Sequence, residues 1–116
     1  MANHALFLGW NRPTVGREQQ ALKLWEKSME YYNKLLADGR IESFEPVLLA
    51  SHGGDLNGFI LIRGDREKLN EIRNEDTFLN FTVEADYCLG DFGIISAYIG
   101  EGLADIFTRW AKHIGG

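Results

Sequence analysis

At 116 residues the chain has the length of one domain with an ordinary core. Its 45% hydrophobic and 25% charged residues are those of a folded globular protein and exclude a disordered chain. A formal charge of −5 argues against a phosphate-binding surface, so no nucleic-acid partner is expected. The single Cys88 cannot form an internal disulfide, which suits a reducing cytoplasm. No basic segment leads into a long apolar stretch, and no apolar run has the length of a membrane span, so neither a signal peptide nor a membrane partner is expected. Asn80-Phe81-Thr82 matches a glycosylation acceptor, a chance match in an intracellular chain.

His4 to Trp10 (HALFLGW) reads as a short strand, apolar on both faces, stopped by the loop Asn11-Arg12-Pro13-Thr14. Arg17 to Asp38 is the clearest helix. Leu22, Trp25, Met29, Tyr32 and Leu36 recur at spacings of three and four, with Thr14 or Gly16 placed to cap the start and Gly39 to end it. The aromatic and Met positions are read as core packing.

Phe44 to Gly64 (FEPVLLASHGGDLNGFILIRG) reads as a β-hairpin. A type II′ turn at Gly54-Asp55 would set Val47 opposite Ile62 and Leu49 opposite Ile60 on a helix-covered face. The other face would then carry Pro46 with Arg63, Leu48 with Leu61, Ala50 with Phe59 and His52 with Asn57. Pro46 cannot donate to a ladder and asks for a sheet edge. Asp65 is a good N-cap for a helix with Leu69 and Ile72 inward, broken near Asn74 and resumed over Asp76 to Tyr87. Phe92 to Ile99 is the fourth strand, and Glu101 to His113 a last helix with Leu103, Ile106, Phe107, Trp110 and Ile114 in a stripe.

The order β-α-β-β-α-β plus a helix predicts an α+β, ferredoxin-like single domain over 1–116, with an antiparallel sheet of strand order 4-1-3-2 and both crossovers on one side. The sheet reads as apolar on both faces, yet helices cover only one. Its open face is roughly 400 Å², and burying it would contribute at most about 10 kcal/mol per subunit. The expected partner is therefore a second copy packed sheet to sheet. The alternative is the last helix folding back over that face in a monomer.

The pattern resembles the dimeric α/β-barrel superfamily, and Leu56-Asn57-Gly58-Phe59-Ile60-Leu61-Ile62 is similar to the "LGGFYLI"-type strand of its YCII-related (DGPF-type) branch. The Asp-Gly-Pro-Phe signature is absent; the hairpin reads His52-Gly53-Gly54-Asp55, so no catalytic residue carries over. The superfamily resemblance implies cofactor-free oxygenases, isomerases and haem-degrading enzymes. A haem site would want a histidine reaching iron from a helix facing the cavity, and His52 is not so placed.

This topology gathers Trp10, Asn11, Arg12, His52, Asp55, Asn57 and Asp91 at one edge of the sheet. Read as a small-molecule site, His52 is the catalytic candidate for proton transfer, and Arg12 would hold an anion. Read as structure, His52 and Asn57 close the hairpin, Asp55 satisfies its turn, and Arg12 pairs with Asp91. Arg63, on the face without helices, is a candidate for a ligand carboxylate or for a cross-dimer pair, and Tyr98 is a candidate to point into the same cavity. His52 with Asp55 lacks a third metal ligand, so no metal is expected. The chain carries no P-loop, dinucleotide fingerprint, nucleophile elbow or paired-Cys zinc pattern, and no cofactor is expected. These residues predict a protein that binds or processes a small organic molecule beside the sheet. The competing reading is a non-catalytic assembly domain, and a cofactor-free or haem-degrading monooxygenase ranks below both.

Overall fold

A computed structural model describes residues 2–115. The elements are β1 (His4–Trp10), α1 (Glu18–Ala37), β2 (Ser43–Leu48), β3 (Gly58–Gly64), α2 (Arg66–Arg73), α3 (Asp76–Cys88), β4 (Gly93–Tyr98) and α4 (Gly100–Gly115). They form one four-stranded sheet of order β2-β3-β1-β4 with antiparallel neighbours. This is the expected order, and Pro46 sits in the edge strand it required.

Local chemistry explains the boundaries. The Asp65 carboxylate accepts from the Lys68 amide at 3.3 Å and opens α2. The chain breaks at Asn74 and resumes as α3, as the pattern predicts. At the end of α1, Gly39 adopts φ 72°, and the Gly39 and Arg40 amides donate to Leu36 and Leu35 in a Schellman arrangement. Arg17 precedes α1 without a side-chain cap; its amide donates to the Thr14 carbonyl instead.

Two packing details differ from the sequence expectation. Strand β2 pairs Phe44 with Ile62, Pro46 with Ile60 and Val47 with Phe59, a slip of three residues from a tight Gly54-Asp55 hairpin. A slip of odd length exchanges faces. Phe44 and Pro46 therefore lie towards the helices, and Val47 lies on the open side. Helix α1 buries Leu24, Ser28, Tyr32 and Leu35, leaving Leu22 and Leu36 exposed, so its inner face is rotated from the expected stripe.

The core lies between the sheet and the helices: Leu6, Leu8, Trp10, Ile60 and Ile62 meet Tyr32, Leu35, Leu69, Ile72 and Phe78. On the opposite face, cross-strand rows place Val47 beside Phe59, and Glu45, Leu61, Phe7 and Ile95 in line. The Phe7 and Phe59 rings stack at 5.0 Å between centroids. Ile95 on this face is 61% exposed. Helix α4 does not close it. Phe107 and Trp110 on α4 are 54% and 59% exposed, and the radius of gyration of 15.9 Å exceeds the about 13 Å of a compact chain this long.

Arg40 and Glu75 tie the end of α1 to the start of α3 through a two-pronged contact, with Nη1 to Oε1 at 3.0 Å. That hydrogen bond holds the Glu75 carboxyl below its ordinary range. A depressed carboxylate contributes stability that is present above its unfolded pKa and lost as pH falls through the folded one. The melting-temperature gap between the native chain and Glu75→Gln is therefore expected to hold steady near neutrality and to close below about pH 4, the ordinary carboxylate range. A gap independent of pH would assign the effect to something other than the ion pair.

Candidate functional site

Helices α1 and α3 and the inner face of the sheet do not meet everywhere. Between them lies a cavity of about 470 Å³. Its floor is Leu8, Trp10 and Ile60; α1 supplies Ala21, Leu24, Trp25, Ser28 and Tyr32; α3 supplies Phe78, Phe81, Thr82 and Ala85. The space has a local cause. Small side chains occupy facing turns, Ala21 and Ser28 on α1 and Thr82 and Ala85 on α3, so the helices span a gap they do not fill. Leu22, Leu48 and Glu18 also line it, and Leu22 and Leu48 are both exposed, which marks the side open to solvent.

The lining is almost wholly apolar. Trp10 and Trp25 meet edge to face with centroids 5.9 Å apart. Glu18 is the one charged residue among the described lining residues. The Thr82 hydroxyl donates to the Phe78 carbonyl at 3.0 Å. Ser28 and Tyr32 are buried, and burial, with Tyr31 beside it, pushes the Tyr32 phenol above its ordinary value, so it stays a neutral O–H donor. With one charged residue in its lining, the cavity offers little charge to hold an ion. It suits an uncharged molecule with one or two acceptor groups.

The edge cluster has a different character. The side-chain amide of Asn11 donates to Asp91 at 3.2 Å, and Asn57 donates to the Asn11 side-chain oxygen and to the Asp55 carbonyl. The Asn57 amide donates to the Trp10 carbonyl at 2.9 Å. His52 closes its own loop: the Gly54 amide donates to Nδ1 at 3.1 Å, and Nε2–H donates to the Leu56 carbonyl at 2.7 Å. That pattern assigns the neutral tautomer with its proton on Nε2. Arg12 is exposed, and its carbonyl accepts from the Gly90 amide at 2.7 Å. Asn11, not Arg12, is the partner of Asp91.

The structure thus brings Trp10, Asn11, Asn57 and Asp91 together, with His52 and Asp55 on the adjoining loop. Of these, Trp10 alone lines the cavity, its indole lying over Gly58 with the ring turned beneath the helices. Arg63 stands at the far end of β3, on the open face, and pairs with Glu45 at 3.1 Å. Tyr98 shares a cross-strand row with His4, so it projects from the helix side of the sheet rather than beside Arg63. Tyr32 and Trp25 line the cavity from the stripe read as core packing, and Ser28, Ala21, Thr82 and Ala85 are small residues that an apolar-stripe reading passes over. Their recurrence at helical spacing on α1 and α3 is the signal that marks the gap.

No family model and no curated protein matches this sequence. Solved structures do. A conserved protein from Methanosarcina mazei superposes with a TM-score of 0.65 at 13% identity, covering 85% of this chain and 95% of that one. A dimeric ferredoxin-like protein of unknown function from Thermobifida fusca gives 0.60 at 9% identity, over 85% and 93% of the two chains. The fold is ferredoxin-like. SnoaB, a cofactor-independent oxygenase from Streptomyces nogalater, aligns with a TM-score of 0.51 at 14% identity over 85% and 97%. The resemblance to the YCII-related branch rests on the Leu56–Ile62 stretch alone. Among the described residues there is no cluster of three or more His, Cys, Asp or Glu able to hold a metal, and no helix is long and apolar enough to cross a membrane.

Proposed function

We propose that the chain is a single ferredoxin-like domain that acts as a homodimer and holds a small, largely apolar, uncharged organic molecule between α1, α3 and the sheet. The observation that carries this reading is the cavity of about 470 Å³, whose lining includes two indoles and several small side chains. A pocket of that size falls in the range of small-molecule sites, and its few polar groups would orient an occupant. Ser28 and the Tyr32 phenol are the groups placed to donate to a carbonyl or ether oxygen. The edge residues Asn11, Arg12, His52 and Asn57 frame the end of the sheet next to Trp10, and Arg63 belongs to the dimer face. The dimeric ferredoxin-like neighbour supports assembly with a second copy, and the cofactor-independent oxygenase neighbour shows that this fold can carry an enzyme.

The test is a titration with neutral phenylnaphthylamine, followed by its own emission and by quenching of Trp10 and Trp25. Saturable binding at one site per chain is expected. Emission that rises without saturation, or binding that survives filling of the cavity, would leave the assembly-domain reading, in which the apolar sheet exists only to hold two copies together.

A further inference from the structure

We infer that α4 is an arm of the dimer: its apolar stripe packs on the second copy, extending the interface that the open sheet face begins. The inference rests on the homodimer proposed above and goes beyond it. Leu103, Phe107, Trp110 and Ile114 recur at spacings of four, three and four, which puts them on one side of the helix. All four are exposed, and the Phe107 and Trp110 rings meet edge to face at 5.4 Å. Gly102 is the one buried residue of this helix, and a Cβ there would fall 2.1 Å from the Asn3 carbonyl oxygen. The first turn is thus pinned against the β1 entry while the remainder extends outward. A helix with so little support of its own and such a row of aromatics is held by something else.

Area decides what that something is. The sheet face supplies roughly 400 Å² per copy, whereas stable interfaces bury about 600–1,000 Å² per partner. The face alone falls short. Beyond its pinned first turn, helix α4 presents a strip of about 18 by 10 Å, or roughly 180 Å². The sum, roughly 580 Å², reaches the lower edge of the stable range. The strip also starts beside the sheet, because α4 begins two residues after β4 ends. Two-fold symmetry then uses each arm once on each partner, with no surface left over to propagate a chain of copies.

The experiment measures the dimer dissociation constant of full-length Phe107→Glu and Trp110→Glu by light scattering across a dilution series, with Trp110→Phe as the conservative control. Both positions are exposed within the subunit, so far-UV circular dichroism is expected to match the native chain. Each substitution occurs twice in the dimer, and a buried aromatic anchor is replaced by a charge, so the constant should rise on the order of a hundredfold or more. Trp110→Phe should stay within about tenfold of the native value. A dimer whose constant is unchanged in both glutamate variants would overturn the arm and leave the sheet-to-sheet dimer standing; the stripe would then serve its own subunit or another protein. A native chain that is monomeric throughout would overturn the arm and the dimer together.

Discussion

Phe59→Glu is expected to turn the proposed dimer into monomers of 13.2 kDa at concentrations where the native chain is expected to stay paired. Phe59 stacks on Phe7 in the middle of the open face, next to Val47 and on the same side of the sheet as Leu61 and Ile95. Two-fold packing would enclose two new carboxylates in that layer, and each desolvated ion costs several kcal/mol. The face contributes at most about 10 kcal/mol per subunit before association costs are subtracted. The added charges therefore outweigh the surplus, and the dissociation constant should rise by at least about a thousandfold. Leu6, Leu8, Ile60 and Ile62 point the other way, so the core and cooperative unfolding should survive. A Phe59→Glu chain that remains a tight dimer would place the interface elsewhere.

Filling the cavity should separate binding from folding. Ser28 sits on the buried arc of α1 and lines the space beside Trp10, Tyr32 and Ala85. Ser28→Leu replaces a buried hydroxyl with a branched side chain that has room to extend, and leucine is the better helix former. Added apolar burial in an unfilled space is expected to stabilise the protein by about 1–2 kcal/mol. Phenylnaphthylamine binding should weaken at least about tenfold, since the probe and the new side chain compete for one volume. Most core substitutions that enlarge a side chain cost about 1–3 kcal/mol instead. Destabilisation of that size with binding intact would mean that this arc of α1 is closely packed and that the probe sits at another place. The readouts are thermal unfolding and the titration, both on the same sample.

The element order was legible because its signals are local. Pro46 demanded an edge, Asp65 announced a helix, Asn74 interrupted one, and the apolar runs of β1 and β3 required cover on two sides. Register was not local. Strand β2 and the residue after it carry Phe44 and Leu48 at one parity and Val47 and Leu49 at the other, so alternation alone could not decide which face is inner. Gly54-Asp55 suggested a tight turn, but the chain from Ala50 to Leu56 forms a longer loop closed by the His52 ring, and pairing resumes where the Leu49 amide meets the Asn57 carbonyl. A side chain replaced the hydrogen bonds that the two-residue turn would have supplied.

The candidate site was half legible for a related reason. Polar residues at loop ends can be collected from topology, and Asn11, Asn57 and Asp91 do meet. Their hydrogen bonds are spent largely on one another and on the hairpin, which is what a polar cluster at a strand end needs for its own sake. The cavity is defined by volume that side chains fail to occupy. Apolar periodicity counts large residues, and it placed Leu22 inward where Ser28 in fact lies. Cys88 fits the structural reading: it packs with Leu24 and Ala85, and burial raises its thiol above the ordinary range, a poor setting for a nucleophile.

The proposed function needs both apolar faces of one sheet covered, the inner by helices that leave a cavity and the outer by a second copy. Multi-angle light scattering of the native chain at micromolar concentration tests the outer half directly. The account predicts a mass twice 13.2 kDa, falling towards the single-chain value only on extensive dilution. A single-chain mass across the whole range would contradict it.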